Sequence, residues 1–142
     1  MRIHDVLRRK GDLVVTIAPD EPVSALLDAL AEHKVGALVV AGADGAVEGI
    51  VSERDVVRHL QARGAGVLED RVSSIMTSPV HTAQPETTLE ELMVLMTERR
   101  FRHVPVVVDG QLAGIVSIGD VVKHRIEELQ SERDQLTAYI TG

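Results

Sequence analysis

The sequence predicts a mixed α/β fold built from two copies of one unit, each running turn–β–α–β–β–α. Three observations predict it. Residues 49–59, Gly-Ile-Val-Ser-Glu-Arg-Asp-Val-Val-Arg-His, return at 114–124 as Gly-Ile-Val-Ser-Ile-Gly-Asp-Val-Val-Lys-His, identical at eight of eleven positions at an offset of 65. Apolar residues at helical spacing, Val23, Leu26, Leu27 and Leu30, recur as Leu89, Leu92, Met93 and Met96 at an offset of 66. A pair of apolar runs joined by Asp-Gly, a strong hairpin signal, occurs once in each half.

Each element has a local reason. Ile3-His4-Asp5-Val6-Leu7 and its counterpart Val72-Ser73-Ser74-Ile75-Met76 read as short helical turns that open the two copies. Extended segments follow at residues 14–17 and 80–83. Pro19 and Pro85 end them, because proline removes a ladder donor. The next helix carries its apolar residues at i, i+3, i+4 and i+7, the one-face signature of an amphipathic helix. Pro22 suits its first position in copy one, and Thr87 with Glu90 suits a capping box in copy two. Two strands come next, at Ala37–Ala41 and Val47–Ser52 in copy one and at 103–107 and 112–117 in copy two. Asp44-Gly45 and Asp109-Gly110 turn each pair, and one extra residue in the first loop moves the offset from 66 to 65. A second helix starts near Glu53 and near Ile118. Gly64-Ala65-Gly66 marks the join, giving repeat 1 as residues 1–66 and repeat 2 as residues 67–142. The last helix outruns its counterpart. Val122, Ile126, Leu129, Leu136 and Ile140 carry an apolar stripe past the repeat, interrupted by Arg133. Such a helix either packs on something, often a second subunit, or ends as a solvated tail.

Bulk composition narrows the function. Units of about 65 residues are marginal alone, so the two are expected to bury apolar faces on each other. Apolar residues make up 44% of the chain, yet Phe101 and Tyr139 are its only aromatics, so the core is aliphatic. A net charge of −7 opposes nucleic-acid binding, whose footprint is basic, but leaves room for an anionic ligand at a locally cationic site. The absence of cysteine excludes disulfides, thiolate metal sites and cysteine nucleophiles. No apolar run is long enough to span a bilayer, and Met1-Arg2-Ile3-His4-Asp5 has no signal-peptide character, so a cytoplasmic protein is expected. His59 and His124 repeat beside basic residues and read as surface or interface histidines. No histidine pair has zinc-ligand spacing on one face, so no metal site is expected.

The doubled Gly-Ile-Val-Ser-x-x-Asp, preceded in the second copy by Arg102-His103-Val104-Pro105-Val106-Val107, resembles a tandem pair of CBS domains, named after cystathionine β-synthase. Ser52-Glu53-Arg54-Asp55 and Ile75-Met76-Thr77 resemble that family too, and the likeness covers essentially the whole chain. It implies pseudo-symmetric repeats packed through their sheets, with clefts between them that bind AMP, ADP, ATP, NAD or S-adenosylmethionine. It also implies two pairs joined as a homodimer in a flat four-repeat disc, and regulation of an unidentified client protein. No cofactor is obligatory in this reading, and magnesium would arrive with a nucleotide.

Ser117 and Asp120, at i and i+3 across a strand-to-helix junction, fall on one side of the first helical turn. A carboxylate there can accept from both ribose hydroxyls, and free N–H groups at a helix start favour an anion. Ser52 and Asp55 repeat the pair, with Arg54 beside them as a phosphate clamp. The same spacing also makes a plain helix cap. Thr16 and Thr82 stand at matching places, as cleft residues or as ordinary strand residues. The resemblance puts Val39, Val40, Val104 and Pro105 where the family provides an adenine slot, the alternative being core packing. It puts Arg102 and His103 where relatives contact phosphate, whereas Arg99 and Arg100 read as a solvated basic face.

No Gly-x-Ser-x-Gly elbow, His-Glu-x-x-His or P-loop occurs, so no catalytic residues are assigned. The sequence therefore points to a regulatory, energy-sensing module that binds an adenosyl nucleotide. The alternative is a ligand-free assembly or adaptor domain acting through protein contacts.

Overall fold

Apolar spacing and turn chemistry set the elements in the computed structural model, which describes residues 1–10 and 14–141. In chain order these are α1 (Ile3–Lys10), β1 (Thr16–Ile17), α2 (Val23–His33), β2 (Ala37–Ala41), β3 (Val47–Ser52) and α3 (Glu53–Arg63). Two short 3-10 turns, Ala65–Glu69 and Val72–Ser74, lead to α4 (Leu89–Arg99), β4 (His103–Val108), β5 (Gln111–Ser117) and α5 (Ile118–Thr141). The first sheet has the order β1-β2-β3 and the second is the β4-β5 hairpin. In β4-β5 the two-residue turn Asp109-Gly110 has φ of 50° and 78°, the left-handed pair that matches hairpin twist.

Several local details differ from the sequence reading. The first extended segment is ordered as a strand only at Thr16–Ile17, parallel to β2. Its counterpart shrinks to a single bridge, Ala83 with Val106, in a stretch bracketed by Pro79 and Pro85, which have no N–H to donate. Pro22 sits at the N-cap of α2 rather than inside it. The capping box of α4 is Thr88 with Glu91, not Thr87 with Glu90. Both pairs satisfy the pattern, but the Thr87 hydroxyl accepts from Gln84 N at 3.2 Å and closes the preceding turn. Leu27 stays partly exposed while Val23, Leu26 and Leu30 are buried. His124 is 5% exposed, not a surface residue, and its Nδ1 lies 3.7 Å from the Glu127 carboxylate without a hydrogen bond.

Strand alternation gives each sheet two apolar faces. Leu38, Val40 and Val51 face helices, in a core with Val23, Leu26, Leu30 and Val56. Val104, Val106 and Val116 do the same with Leu89, Leu92, Met96 and Val121. On the opposite faces Val39 and Pro105 are also buried, where the two pseudo-symmetric repeats pack through their sheets.

The opening turns are exchanged between the halves. Ile3 and Val6 of α1 belong to the core of the second sheet, while Val67, Val72 and Ile75 belong to the core of the first. A glycine stands at each crossing. A Cβ on Gly49 would lie 2.6 Å from Met76 Sδ and 2.9 Å from Thr77 O, and one on Gly114 would lie 2.6 Å from Leu7 Cδ2. Polar ties reinforce the exchange. Glu128 of α5 receives the Met1 amino group at 2.6 Å and pairs with Arg125, which also reaches Glu90 at 3.3 Å. The Met1 ammonium first, and Arg125 after it, hold the Glu128 carboxyl below the usual carboxylate range.

Gly49→Ala is expected to destabilise the protein by about 1–3 kcal/mol in urea denaturation, through overpacking against a backbone carbonyl. Gly114→Ala should cost less, because the obstructing atom ends a side chain that can turn. A depressed carboxyl contributes stability above its unfolded pKa and loses it as pH falls through the folded value. Melting temperature should therefore fall more steeply below about pH 4.3 in the wild type than in Glu128→Gln.

Candidate ligand-binding cleft

Both strand-to-helix junctions adopt the same geometry. Ser52 N donates to Asp55 Oδ2 at 2.9 Å, and Asp55 N donates back to Ser52 Oγ at 3.3 Å. Ser117 N donates to Asp120 Oδ2 at 2.9 Å, and Asp120 N to Ser117 Oγ at 3.1 Å. Each Ser-x-x-Asp pair is thus a reciprocal helix cap. In copy one the Ser52 hydroxyl also donates to Asp55 Oδ2, at 3.1 Å. Asp55 Oδ1 has no hydrogen-bond partner among the described residues. Cap and ligand contact can therefore coexist, one oxygen serving each.

A second contact holds each helix start against a strand entry. Glu53 N donates to Gly36 O at 3.0 Å, and Ile118 N to Arg102 O at 2.8 Å. Next to the first junction opens a cavity of about 520 Å³. Repeat 1 lines it with Ser52, Glu53, Arg54, Asp55 and Arg58, along with Gly36, Ala37, Ile50 and Val57. Segments 77–81 and 100–103 supply Thr77, Pro79, Val80, His81, Arg100, Phe101, Arg102 and His103. Ser52, Arg54 and Asp55 therefore share one cleft with Arg102 and His103, although about 50 residues separate the two groups.

The cleft's charge is opposite to that of the chain. Arg54, Arg58, Arg100 and Arg102 line it against Glu53 and Asp55, within a protein of net charge −7. None of the four arginines has an ion-pair partner among the described residues. Arginines that are not engaged in ion pairs around a concave site are poised for an anion, and guanidinium geometry suits phosphate.

Sequence reasoning missed part of this lining. Arg100 was expected on a solvated face; it is the α4 C-cap, at φ 59°, and that left-handed turn directs the chain into the cleft. Arg58 follows Arg54 by one helical turn, a spacing that could have flagged it. Phe101 and His81 stack with ring centroids 5.0 Å apart, placing one of the chain's two aromatics in the wall.

Other expected residues fall outside this cavity. Val104 is fully buried in a helix-facing core, and Val39 and Pro105 are buried where the sheets pack. None of the three is among the residues that line the opening. Thr16 and Thr82 are exposed and do not line it, although Val80 and His81 next to Thr82 do. Ser117 and Asp120 belong to the other junction.

A profile of the CBS domain matches residues 10–62 and again 72–127. The chain belongs to the CBS-domain family. It is similar to the mitochondrial CBS domain-containing protein CBSX3 of Arabidopsis thaliana, 38% identical over 99% of this chain and 72% of that protein. The crystal structure of the CBS-domain containing protein ATU1752 from Agrobacterium tumefaciens matches with a TM-score of 0.85 at 49% identity, over 88% of this chain and 99% of that one. CBSX2, in a crystal structure with AMP, matches with a TM-score of 0.72 at 29% identity, over 89% of this chain and 96% of that one. Among the described residues no helix is long and apolar enough to cross a membrane.

Because the cleft arginines make no ion pairs among the described residues, the double variant Arg54→Ala/Arg102→Ala should keep its unliganded stability within about 0.5 kcal/mol of wild type. Ser52→Ala, which deletes a cap, should cost about 1 kcal/mol in the same denaturation assay.

Proposed function

We propose that this protein senses an adenine nucleotide by binding it in the cleft between its CBS repeats. The observation that carries the reading is the group of four arginines, drawn from both repeats and without an ion pair among the described residues, beside the Ser52–Asp55 helix start. Arg54 and Arg102 bind the phosphate end, assisted by the helix N-terminus. The Asp55 carboxylate, through Oδ1, accepts from ribose hydroxyls. The base lies along Ile50, Val80 and Phe101. The AMP complex of CBSX2 supports the ligand class. ADP, ATP, NAD and S-adenosylmethionine share the same adenosyl core, and magnesium would accompany a polyphosphate. The module works by binding, not catalysis. Two copies associate into a four-repeat disc, and nucleotide occupancy changes the surface shown to a client protein. That change requires different affinity for two conformations.

A second reading, assembly without a ligand, is favoured by the exposed apolar stripe on α5. A thermal-shift series with AMP, ADP, ATP, NAD, NADH and S-adenosylmethionine separates the two. A ligand at 100 times its Kd should stabilise the wild type by about 2.7 kcal/mol. Arg54→Ala/Arg102→Ala should lower affinity roughly 10- to 100-fold with its unliganded melting temperature unchanged. A flat response of the wild type to every compound would leave the assembly reading in place.

A further inference from the structure

We propose that α5 pairs with α5 of a second copy as a short antiparallel two-stranded coiled coil, through the stripe Val122, Ile126, Leu129, Arg133, Leu136 and Ile140. This rests on the homodimer reading above and names its surface and orientation. The stripe steps along the helix by four, three, four, three and four residues, the alternation of d and a positions in a heptad repeat. A seam this narrow fits another helix better than a sheet or a globular groove.

The stripe does not serve the protein's own core. Val121 and His124 are buried and Glu128 is half-buried, holding the Met1 amino group. At 100° per residue these positions lie about 100–160° around α5 from the centre of the seam. The seam residues meanwhile remain open: Val122 is 47% exposed, Ile126 50%, Leu129 47%, Leu136 62% and Ile140 75%. A groove of about 660 Å³ runs beside the first of them, between Lys123 and Glu127. Beyond Leu129 every described residue of the helix is exposed. An overhang of about twelve residues is marginal as an isolated helix in water, and a partner helix would hold it.

Composition and charge select a second copy and its direction. Ile126 and Ile140 at a, with Leu129 and Leu136 at d, give the apolar seam that a second helix packs against. A parallel pair would stack Arg133 on Arg133 in one layer. An antiparallel pair centred on residue 131 sets Val122 against Ile140, Ile126 against Leu136 and Leu129 against Arg133, burying the whole stripe. Arg133 then lies within reach of Glu132 of the second copy, twice over by symmetry. Among the described residues of the single chain Arg133 meets only its neighbour Asp134, at 3.4 Å on the surface, a weak pair that is easily given up.

Sedimentation velocity on the full chain tests the surface. The wild type should be a dimer. Leu129→Glu/Leu136→Glu, and separately Ile140→Glu, should weaken dimerisation, the double variant at least about 100-fold. Ala138→Glu, on the far side of the helix, should leave it intact. Circular dichroism and the AMP thermal shift report that each variant is folded. A double variant that still sediments as a dimer overturns this surface and spares the homodimer reading, whereas a monomeric wild type overturns both. The chain has no cysteine, so Thr141→Cys takes a single spin label. Antiparallel pairing places the two backbone positions about 30 Å apart. A distance under about 15 Å means parallel helices and overturns the orientation.

Discussion

Leu7 lies over Gly114 and Met76 over Gly49, and the rest of the molecule depends on these two crossings. Each carries the opening turn of one half into the core of the other. A methyl group at Gly49 would collide with the Thr77 carbonyl, and one at Gly114 with a Leu7 side chain that would have to turn aside, so both crossings favour a position without a side chain. Neither sheet completes its core from its own half of the sequence. A domain of this size buries too little surface as two separate 65-residue units, and the exchange joins them into one larger body.

The same arrangement creates the cleft. With the halves interlocked and packed through their sheets, the helix start after β3 faces the segments leading into and out of α4. Four arginines from distant stretches then converge in an acidic protein. Their mutual repulsion is tolerated because the site is open to water. An anion entering the cleft would relieve it. The helix cap contributes geometry: Asp55 spends one oxygen on the Ser52 amide and hydroxyl, and that fixes the direction of the other.

Much of the fold was legible because it is local. Period-3.6 spacing located α2 and α4, and Asp-Gly located the β4-β5 turn, which needs two left-handed residues. The strand-to-helix junctions at Ser52 and Ser117 were readable from Ser-x-x-Asp alone. Errors arose where two local solutions competed. Thr87 and Thr88 both precede a glutamate by three residues, and a turn to Gln84 decided between them. The segment before Pro85 has strand-like composition, but it meets its neighbour at one residue only.

By itself the sequence determined the repeat, the order of elements, the two Ser-x-x-Asp junctions and the family, since these follow from contacts within a few residues or from motif identity. Only the tertiary structure decided which valines face the helices and which the other sheet. It also brought Arg58 and Arg100 in beside Arg54 and Arg102. Burial, charge convergence and the outward face of α5 are relations between distant segments, and residue spacing within any one segment carries no information about them.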